Sequence, residues 1–99
     1  MSKSKVHRDS NKMLHREDGP AVEHPDGRKE WWIHGIPHRV DGPAIEHADG
    51  VKGWFIHGER HRIDGPAVEW FNGARSYYLN GKEYSYELWN RLRKLQVFS

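Results

Sequence analysis

The chain has 99 residues, of which 35% are apolar and 30% are charged, so it suits one small domain with a thin core. It contains no cysteine, which excludes disulfide bonds and zinc bound by thiolates. The net charge of +2 is uneven, with basic ends and a mildly acidic middle, and this argues against extended nucleic acid as a partner.

Residues 1–10, MSKSKVHRDS, predict a basic and solvated N-terminal tail. The tail lacks the apolar stretch of a secretory signal, and no later segment is apolar over the length of a membrane span. We therefore expect a cytoplasmic protein that makes no membrane contact.

A repeat of 23 residues fills residues 11–83. Three ungapped units begin at His15, His38 and His61; the first two are identical at 15 of 23 positions and the last two at 9. Residues 11–14 match the end of a unit, so we predict three repeats and a partial leading unit.

Each unit carries two turn signals at fixed places. The first is HPDG, HADG or WFNG, where the final Gly supplies a positive φ, and the second is IHG, IHG or LNG, where Asn-Gly is a strong hairpin signal. The segments between them, RKEWWI, VKGWFI and ARSYYL, predict strands, and PAVEH, PAIEH and PAVEW predict a second short strand. Whether residues 36–41 form a third strand stays open.

Strand alternation assigns the paired aromatic residues to two faces. The first aromatic of each pair, together with the Ile or Leu two positions on, is expected to stack as a ladder from unit to unit. The second aromatic forms an outer row on the other face, consisting of Trp32, Phe55 and Tyr78.

The C-terminal segment, residues 84–99, contains YELWNRLRKLQ, which predicts a helix with Ser85 as its N-cap. Leu88, Leu92 and Leu95 are spaced to lie on one face, and we expect this helix to cap the last unit. A dimerising helix is the alternative. The predicted fold is therefore mainly β, an elongated antiparallel β-hairpin repeat sheet with a C-terminal capping α-helix.

The segment DGPAVEHPDGRKEWWIHGIPHR resembles repeats of the MORN type, in the variant with a turn glycine, an aromatic strand and a second turn. The resemblance covers roughly residues 11–88. Short proteins with HREDGPA units occur among bacterial and phage reading frames, and a phage-encoded one would act in the host cytoplasm. The resemblance implies binding or scaffolding, with no catalytic residues. HR-x-DGPA departs from the standard unit, which prefers Gly and Tyr, so phospholipid binding is not carried over.

The histidines and carboxylates of the repeat suggest structural roles. His34 and His38 have a spacing that would suit zinc on a helix, but a hairpin turn intervenes and His34 aligns with the turn former Asn80. Asp41 and its equivalents can close a turn or pair with the Arg two residues earlier. Catalysis normally needs one asymmetric constellation, and these copies are equivalent. We predict no enzyme activity, no metal site and no cofactor.

The aromatic residues are the candidate binding residues, with core packing as the competing interpretation. The candidates are Trp32, Phe55, Tyr78 and nearby Trp70, flanked by Arg28, Lys29, Lys52 and Arg75. Aromatic and Arg residues dominate protein-binding hot spots, and the same types can stack on nucleotides.

Two functions follow. The first is a non-enzymatic module that binds and modulates a partner protein, as a phage-type accessory or inhibitor protein would. The alternative is a protein that sequesters a nucleotide or another anionic ligand. Open sheet edges also leave a homo-oligomer as an option.

Overall fold

The computed structural model describes residues 3–95, and in them the chain forms twelve short strands and one helix. In chain order these are β1 Lys5–Val6, β2 Val22–Glu23, β3 Lys29–Glu30, β4 Trp32–Ile33, β5 Ile36–Pro37, β6 Ile45–Glu46, β7 Lys52–Gly53, β8 Phe55–Ile56, β9 Glu59–Arg60, β10 Val68–Glu69, β11 Arg75–Leu79, β12 Lys82–Tyr84 and α1 Tyr86–Leu95.

Eight of these strands form one antiparallel sheet in the spatial order β1-β2-β3-β6-β7-β10-β11-β12. The other four form two separate hairpins, β4–β5 and β8–β9. The molecule measures 46 × 31 × 17 Å, so it is elongated and thin. The prediction of a mainly β, antiparallel chain that ends in a helix is confirmed.

Both predicted turns of each unit are present. At the second turn, His34 and Gly35 have φ values of 46° and 79°, and the equivalent pairs in the later units are also positive. Two consecutive positive φ values are what a two-residue hairpin of type I′ requires. At the first turn, Gly27 has a φ of 93° and the Asp26 carboxylate accepts a hydrogen bond from the Arg28 N–H at 3.1 Å. The turn chemistry was therefore predictable from the sequence.

The aromatic strand, expected to be continuous, is split in the first two units. The Trp31 N–H donates to the Ala44 carbonyl at 2.7 Å, and the Trp31 carbonyl accepts from the His38 N–H at 3.1 Å. Trp54 makes the same two bonds one unit later. The chain therefore leaves the large sheet at each Trp to form a separate hairpin. Unit three has no following unit, and β11 is uninterrupted there. Residues 36–37 form β5, so the open question about residues 36–41 is answered by a two-residue strand.

Consecutive hairpins are joined by hydrogen bonds that recur once per unit. Between the hairpins β4–β5 and β8–β9, the Gly58 N–H donates to the Pro37 carbonyl at 2.8 Å, and the N–H of Arg39, which follows β5, donates to the Phe55 carbonyl at 3.0 Å. The equivalent donor and acceptor pairs are Gly35 and Leu14, Gly81 and Arg60, Arg16 and Trp32, and Arg62 and Tyr78. Equivalent residues thus make equivalent contacts from unit to unit.

The core consists mainly of small side chains. Ala21, Ala44 and Ala67 are completely buried and stand at the same place in each unit, while the largest completely buried side chains are Leu79 and Val68. Because so little apolar volume is enclosed, the backbone bonds between units are a large part of what defines this fold.

The helix covers the last unit, mainly through Trp89. Ser85 is the N-cap as expected, since its hydroxyl accepts from the Leu88 N–H at 3.2 Å. Trp89 is 3% exposed and lies 4.7 Å from the Tyr77 ring, whereas Leu88 and Leu95 are 41% and 63% exposed. Leu92 is half-buried, and the gap over Tyr77 is filled by Trp89, whose apolar area is larger, and not by Leu88 or Leu95.

The predicted basic N-terminal tail contains a short strand whose side chains are exposed. Lys5 and Val6 form β1, which pairs antiparallel with β2 at the sheet edge. Arg8 and Leu14 form an isolated bridge that closes a hairpin, with Lys12 in the positive-φ position at 66°. Within residues 3–95, no helix is long and apolar enough to cross a membrane.

Candidate binding surface

The sheet has two chemically different faces. Gly53 lies opposite Ile45 and Val68 on its neighbouring strands, whereas Lys52 lies opposite Glu46 and Glu69. Because directly opposed residues point to the same side, one face is apolar and the other carries a charged ladder. We call the first the aromatic face and the second the joint face.

Phe55 and Tyr78 lie on the aromatic face. The Phe55 ring comes within 2.8 Å of where a Cβ on Gly53 would stand, and Tyr78 follows Ser76, which pairs opposite Val68. The Arg60 guanidinium lies 5.8 Å from the Phe55 ring centre and 5.5 Å from the Tyr78 ring centre. The predicted row is therefore bridged by a cation that the sequence analysis missed. The turn after Ile56 could have revealed it, since its register places Arg60 opposite Phe55.

Trp32 continues this face in the first unit, where it is half-buried. Its indole N–H donates to one oxygen of the Glu30 carboxylate at 2.9 Å, and the other oxygen contacts His24 Nε2 at 2.6 Å. Trp32 is thus fixed in orientation by a local network.

Two adjacent aromatic residues project from the first turn of unit three. Trp70 is 40% exposed and Phe71 is 71% exposed. The Trp70 indole N–H donates to the Ser76 hydroxyl at 2.9 Å, which keeps the ring on the aromatic face. The equivalent residues of the earlier units are His-Pro and His-Ala, so this pair departs from the repeat.

Three of the four predicted cations, Lys29, Lys52 and Arg75, do not flank the aromatic row. Arg28 is bound to Asp26, with its Nε 2.7 Å from the carboxylate. Lys29 lies opposite Glu23, and Lys52 and Arg75 both lie opposite Glu69, all on the joint face. This part of the predicted site is wrong because side chains alternate along a strand. Lys29 and Arg75 stand two residues before Trp31 and Tyr77, so they share the face of those residues and not the face of the aromatic row.

The joint face carries three equivalent loops, residues 16–20, 39–43 and 62–66, which we call joint loops. In the middle loop, Arg39 Nε donates to Asp41 at 3.0 Å, a second guanidinium N–H donates to the Pro43 carbonyl at 3.2 Å, and the guanidinium stacks 3.6 Å from Trp31. The hydrogen bond from Arg39 lowers the pKa of Asp41 below its ordinary value. In place of the predicted aromatic ladder, Trp31 and Trp54 are each covered by a guanidinium, from Arg39 and Arg62.

A cleft of about 710 Å³ lies between the second and third joint loops. Trp54 and Ile56 line it, and Val40 and Ile63, on the loops beside it, are 81% and 47% exposed. The Asp41 and Asp64 side chains also line it and are 86% and 82% exposed. Arg39 and Arg62 line it too, and each is paired with one of these carboxylates, so the charges of the cleft are balanced. We call this hollow the central cleft.

The first histidine of each unit supports the following hairpin turn. The Nδ1 atoms of His15, His38 and His61 accept hydrogen bonds from the backbone N–H groups of His34, His57 and Asn80 at 2.9, 2.8 and 2.9 Å. A backbone N–H can only donate, so these imidazoles are neutral and carry their proton on Nε2. Burial lowers the pKa of His38 and of His61, which favours the neutral form.

Asp9, His15 and His34 bring one possible ligand atom each within 4.8 Å of one another. His34 Nδ1 donates to Asp9 at 2.7 Å, and His15 Nδ1 accepts from the His34 N–H, while the two rings stack at 3.9 Å. Because Nδ1 of His15 is occupied and Nε2 carries the proton, His15 has no free lone pair for a cation. The cluster holds the second turn of unit one in place, and the hydrogen bond from His34 lowers the pKa of Asp9.

Comparison with known protein families, curated proteins and solved structures gives no match to this chain.

Proposed function

We propose that this chain is a non-enzymatic module that binds and modulates a partner protein through its aromatic face. The proposal rests on Trp70 and Phe71. The hairpin turn needs only Asn72 and Gly73, which follow the repeat pattern, so the stacking of units does not require the two exposed rings. A departure from the repeat that the fold does not demand is best explained by binding.

The neighbouring side chains support the same proposal. Phe55 and Tyr78 lie on the same face as Trp70, and Arg60 adds a guanidinium between the Phe55 and Tyr78 rings. Trp, Tyr and Arg are the residue types enriched at hot spots of protein interfaces. Similarity to MORN-type repeats, which implies binding or scaffolding, agrees with this assignment.

Sequestration of a nucleotide or another anion is the less supported alternative. Arg28 is paired with Asp26, and Lys52 and Arg75 lie on the opposite face from Phe55 and Tyr78. An anion stacked on the aromatic row would therefore meet few of the cations that the alternative requires. Catalysis is also disfavoured, because the repeated Arg, Asp and His side chains are engaged in equivalent structural bonds.

The test is affinity capture from a lysate of the source cell, comparing the wild-type chain with Phe71→Ser. We expect a stoichiometric protein to be captured by the wild type and lost, or weakened by about tenfold or more, with the variant, as at a hot spot. Val40→Ser is the matched control, since it removes an exposed apolar side chain from the joint face. Equal capture by all three chains would refute the assignment of the aromatic face. A thermal shift with a nucleotide and no captured protein would favour the alternative.

A further inference from the structure

The array of repeats ends in an open strand edge at β12. Glu83 lies opposite Tyr78, and the Tyr78 carbonyl points away from β12 because it accepts from the Arg62 N–H. Directly opposed residues of an antiparallel pair either bond to each other or both point outward, so the Glu83 carbonyl is directed to the outer edge of β12. Glu83 and Ser85 are exposed, and within residues 3–95 no backbone N–H donates to the Glu83 carbonyl.

The junctions between consecutive hairpins show what binds to such an edge. At the middle junction, the Gly58 N–H donates to the Pro37 carbonyl at 2.8 Å, and the Arg39 N–H donates to the carbonyl of Phe55 at 3.0 Å. The incoming hairpin therefore supplies a turn glycine as donor and, three residues before it, an aromatic residue whose carbonyl accepts. The junctions on either side of this one use the same two bonds.

The edge of β12 offers the same acceptor and the same donor. Glu83 and Ser85 stand in the third unit and its continuation where Pro37 and Arg39 stand in the first unit and its continuation. One bond of the junction is not repeated, because Tyr84 replaces the histidine whose Nδ1 accepts from the turn N–H. The two backbone bonds remain, and main-chain bonds of this kind give the affinity when a strand is added to a sheet edge.

A hairpin that binds at this edge needs glycine at the donor position. A Cβ on Gly58 would stand 2.8 Å from the Ile36 side chain, and a Cβ on Gly35 would stand 2.8 Å from Met13. The φ values of Gly58 and Gly35 are 83° and 79°, in the region that favours glycine. Close approach and backbone conformation thus give the same requirement.

A second copy of this chain does not fit the edge. Its leading turn carries Lys12 at the glycine position, and the Lys12 N–H donates to the Asp9 carbonyl of the same turn at 3.0 Å. Two β12 edges paired about a two-fold axis would bring the Glu83 side chains of both copies directly opposite, and opposed like charges destabilise a sheet. The occupant that remains is a hairpin of another protein.

We propose that the edge of β12 binds a β-hairpin of another protein, in which an aromatic residue precedes the turn glycine by three positions. The glycine N–H donates to the Glu83 carbonyl, and the carbonyl of the aromatic residue accepts from the Ser85 N–H. This inference does not rest on the proposed function, because the contact uses backbone atoms at the end of the sheet and not the side chains of Trp70 and Phe71.

The probe is a peptide of residues 53–62, GWFIHGERHR, closed by a disulfide bond between cysteines added at its two ends. It contains Phe55 and Gly58 in the required spacing, and circular dichroism verifies that it forms a hairpin. Fluorescence anisotropy of the labelled peptide measures its binding to the full chain. We expect saturable binding that weakens by about tenfold or more when N-methylglycine, which cannot donate, replaces Gly58 of the peptide.

Ser85→Pro and Ser85→Ala form the matched pair of variants in the protein. Both remove the hydroxyl that caps α1, but only proline removes the backbone N–H. Tyr84 is part of β12, and a residue before proline favours this extended conformation. We expect Ser85→Ala to bind the peptide as the wild type does, and Ser85→Pro to bind it about tenfold or more weakly.

Three results would overturn the proposal: no saturable binding up to about 1 mM peptide, equal binding by the two Ser85 variants, or equal binding of the N-methylglycine peptide. A dimer of the wild-type chain that Ser85→Pro dissociates would also overturn it, because the edge would then serve a second copy. Phe71→Ser should bind the peptide as the wild type does, so failure at this edge is distinguishable from failure at the aromatic face.

Discussion

Units two and three share the joint sequence H-R-x-D-G-P-A, yet they differ in what covers the first aromatic residue of their strands. In unit two, Trp54 is covered by Arg62 at 4.0 Å, which the next unit supplies. In unit three, Tyr77 has no following unit and is covered by Trp89 of α1. Position 85, which would hold the next repeated Arg, is Ser85, and this serine starts the helix. The end of a repeat array thus needs a substitute cover of a different chemical kind.

The largest effect is expected from removal of the Trp89 side chain, which covers Tyr77 in unit three. Trp89→Ala should lower the free energy of unfolding by about 3–5 kcal/mol, because it removes a nearly completely buried aromatic side chain and exposes Tyr77 and the last strands. Chemical denaturation measures the change. Leu88→Ala, on the exposed flank of the same helix, is the control and should stay within about 0.5 kcal/mol of the wild type. Equal effects of both would show that the leucines carry the packing after all.

A change inside a joint loop tests the cover that the units supply to one another. Gly42→Val should cost about 1–3 kcal/mol, because its Cβ would stand 2.7 Å from Arg39 Cζ and would push the guanidinium off Trp31. Gly42 is not among the positive-φ residues, so lack of space and not backbone strain is the cause. The tryptophan fluorescence spectrum should shift together with the denaturation midpoint. Ala48→Val, in an exposed turn, is the control, and an unchanged midpoint for Gly42→Val would show that the Arg cover is dispensable.

Lowering the pH should weaken the second turns, which His38 and His61 support, and this is the smallest of the expected effects on stability. Burial lowers the native pKa of His38, helped by the charge of His57, and also that of His61, where Glu59 acts in the opposite direction. The unfolded chain therefore takes up protons first, near its histidine pKa of about 6.5, so stability is complete above that value and falls as the pH drops toward the lower native pKa.

Urea midpoints between about pH 7.5 and about pH 5 measure this loss. His61→Leu should reduce the pH dependence and should cost about 0.5–1.5 kcal/mol at neutral pH, because the Asn80 N–H loses its acceptor. His47→Asn, at an exposed turn position, is the control substitution. A slope that His61→Leu does not alter would assign the pH dependence to other groups.

The repeat made much of this structure predictable. Turn residues such as His34-Gly35 determine their own backbone geometry, so their positions followed from local chemistry. The break of the strand at Trp31 could not be derived in this way, because it depends on a bond to Ala44 in the next unit. The role of Trp89 could not be derived for a similar reason, since the spacing of the leucines does not reveal where a gap over Tyr77 will lie.

The candidate site was predictable only in part. Alternation correctly separated the two aromatic residues of each pair, but the cations were chosen by closeness in sequence, and Lys52 and Arg75 lie on the other face. The position of Arg60 beside the aromatic row could have been predicted, because a two-residue turn at His57-Gly58 places Arg60 opposite Phe55. The exposure of Phe71 could have been suspected from its departure from the repeat, whereas the cleft beside Val40 exists only in the assembled loops.

The hydrogen bond from each turn glycine to the preceding unit gives the chain a modular length. Gly58 donates to Pro37 as Gly81 donates to Arg60, so excision of residues 38–60 would bring Gly81 to Pro37 with an unchanged donor and acceptor. Tandem gain or loss of 23 residues can therefore lengthen or shorten such a protein without redesign of any junction. The span of its surface is then set by how many copies the gene encodes.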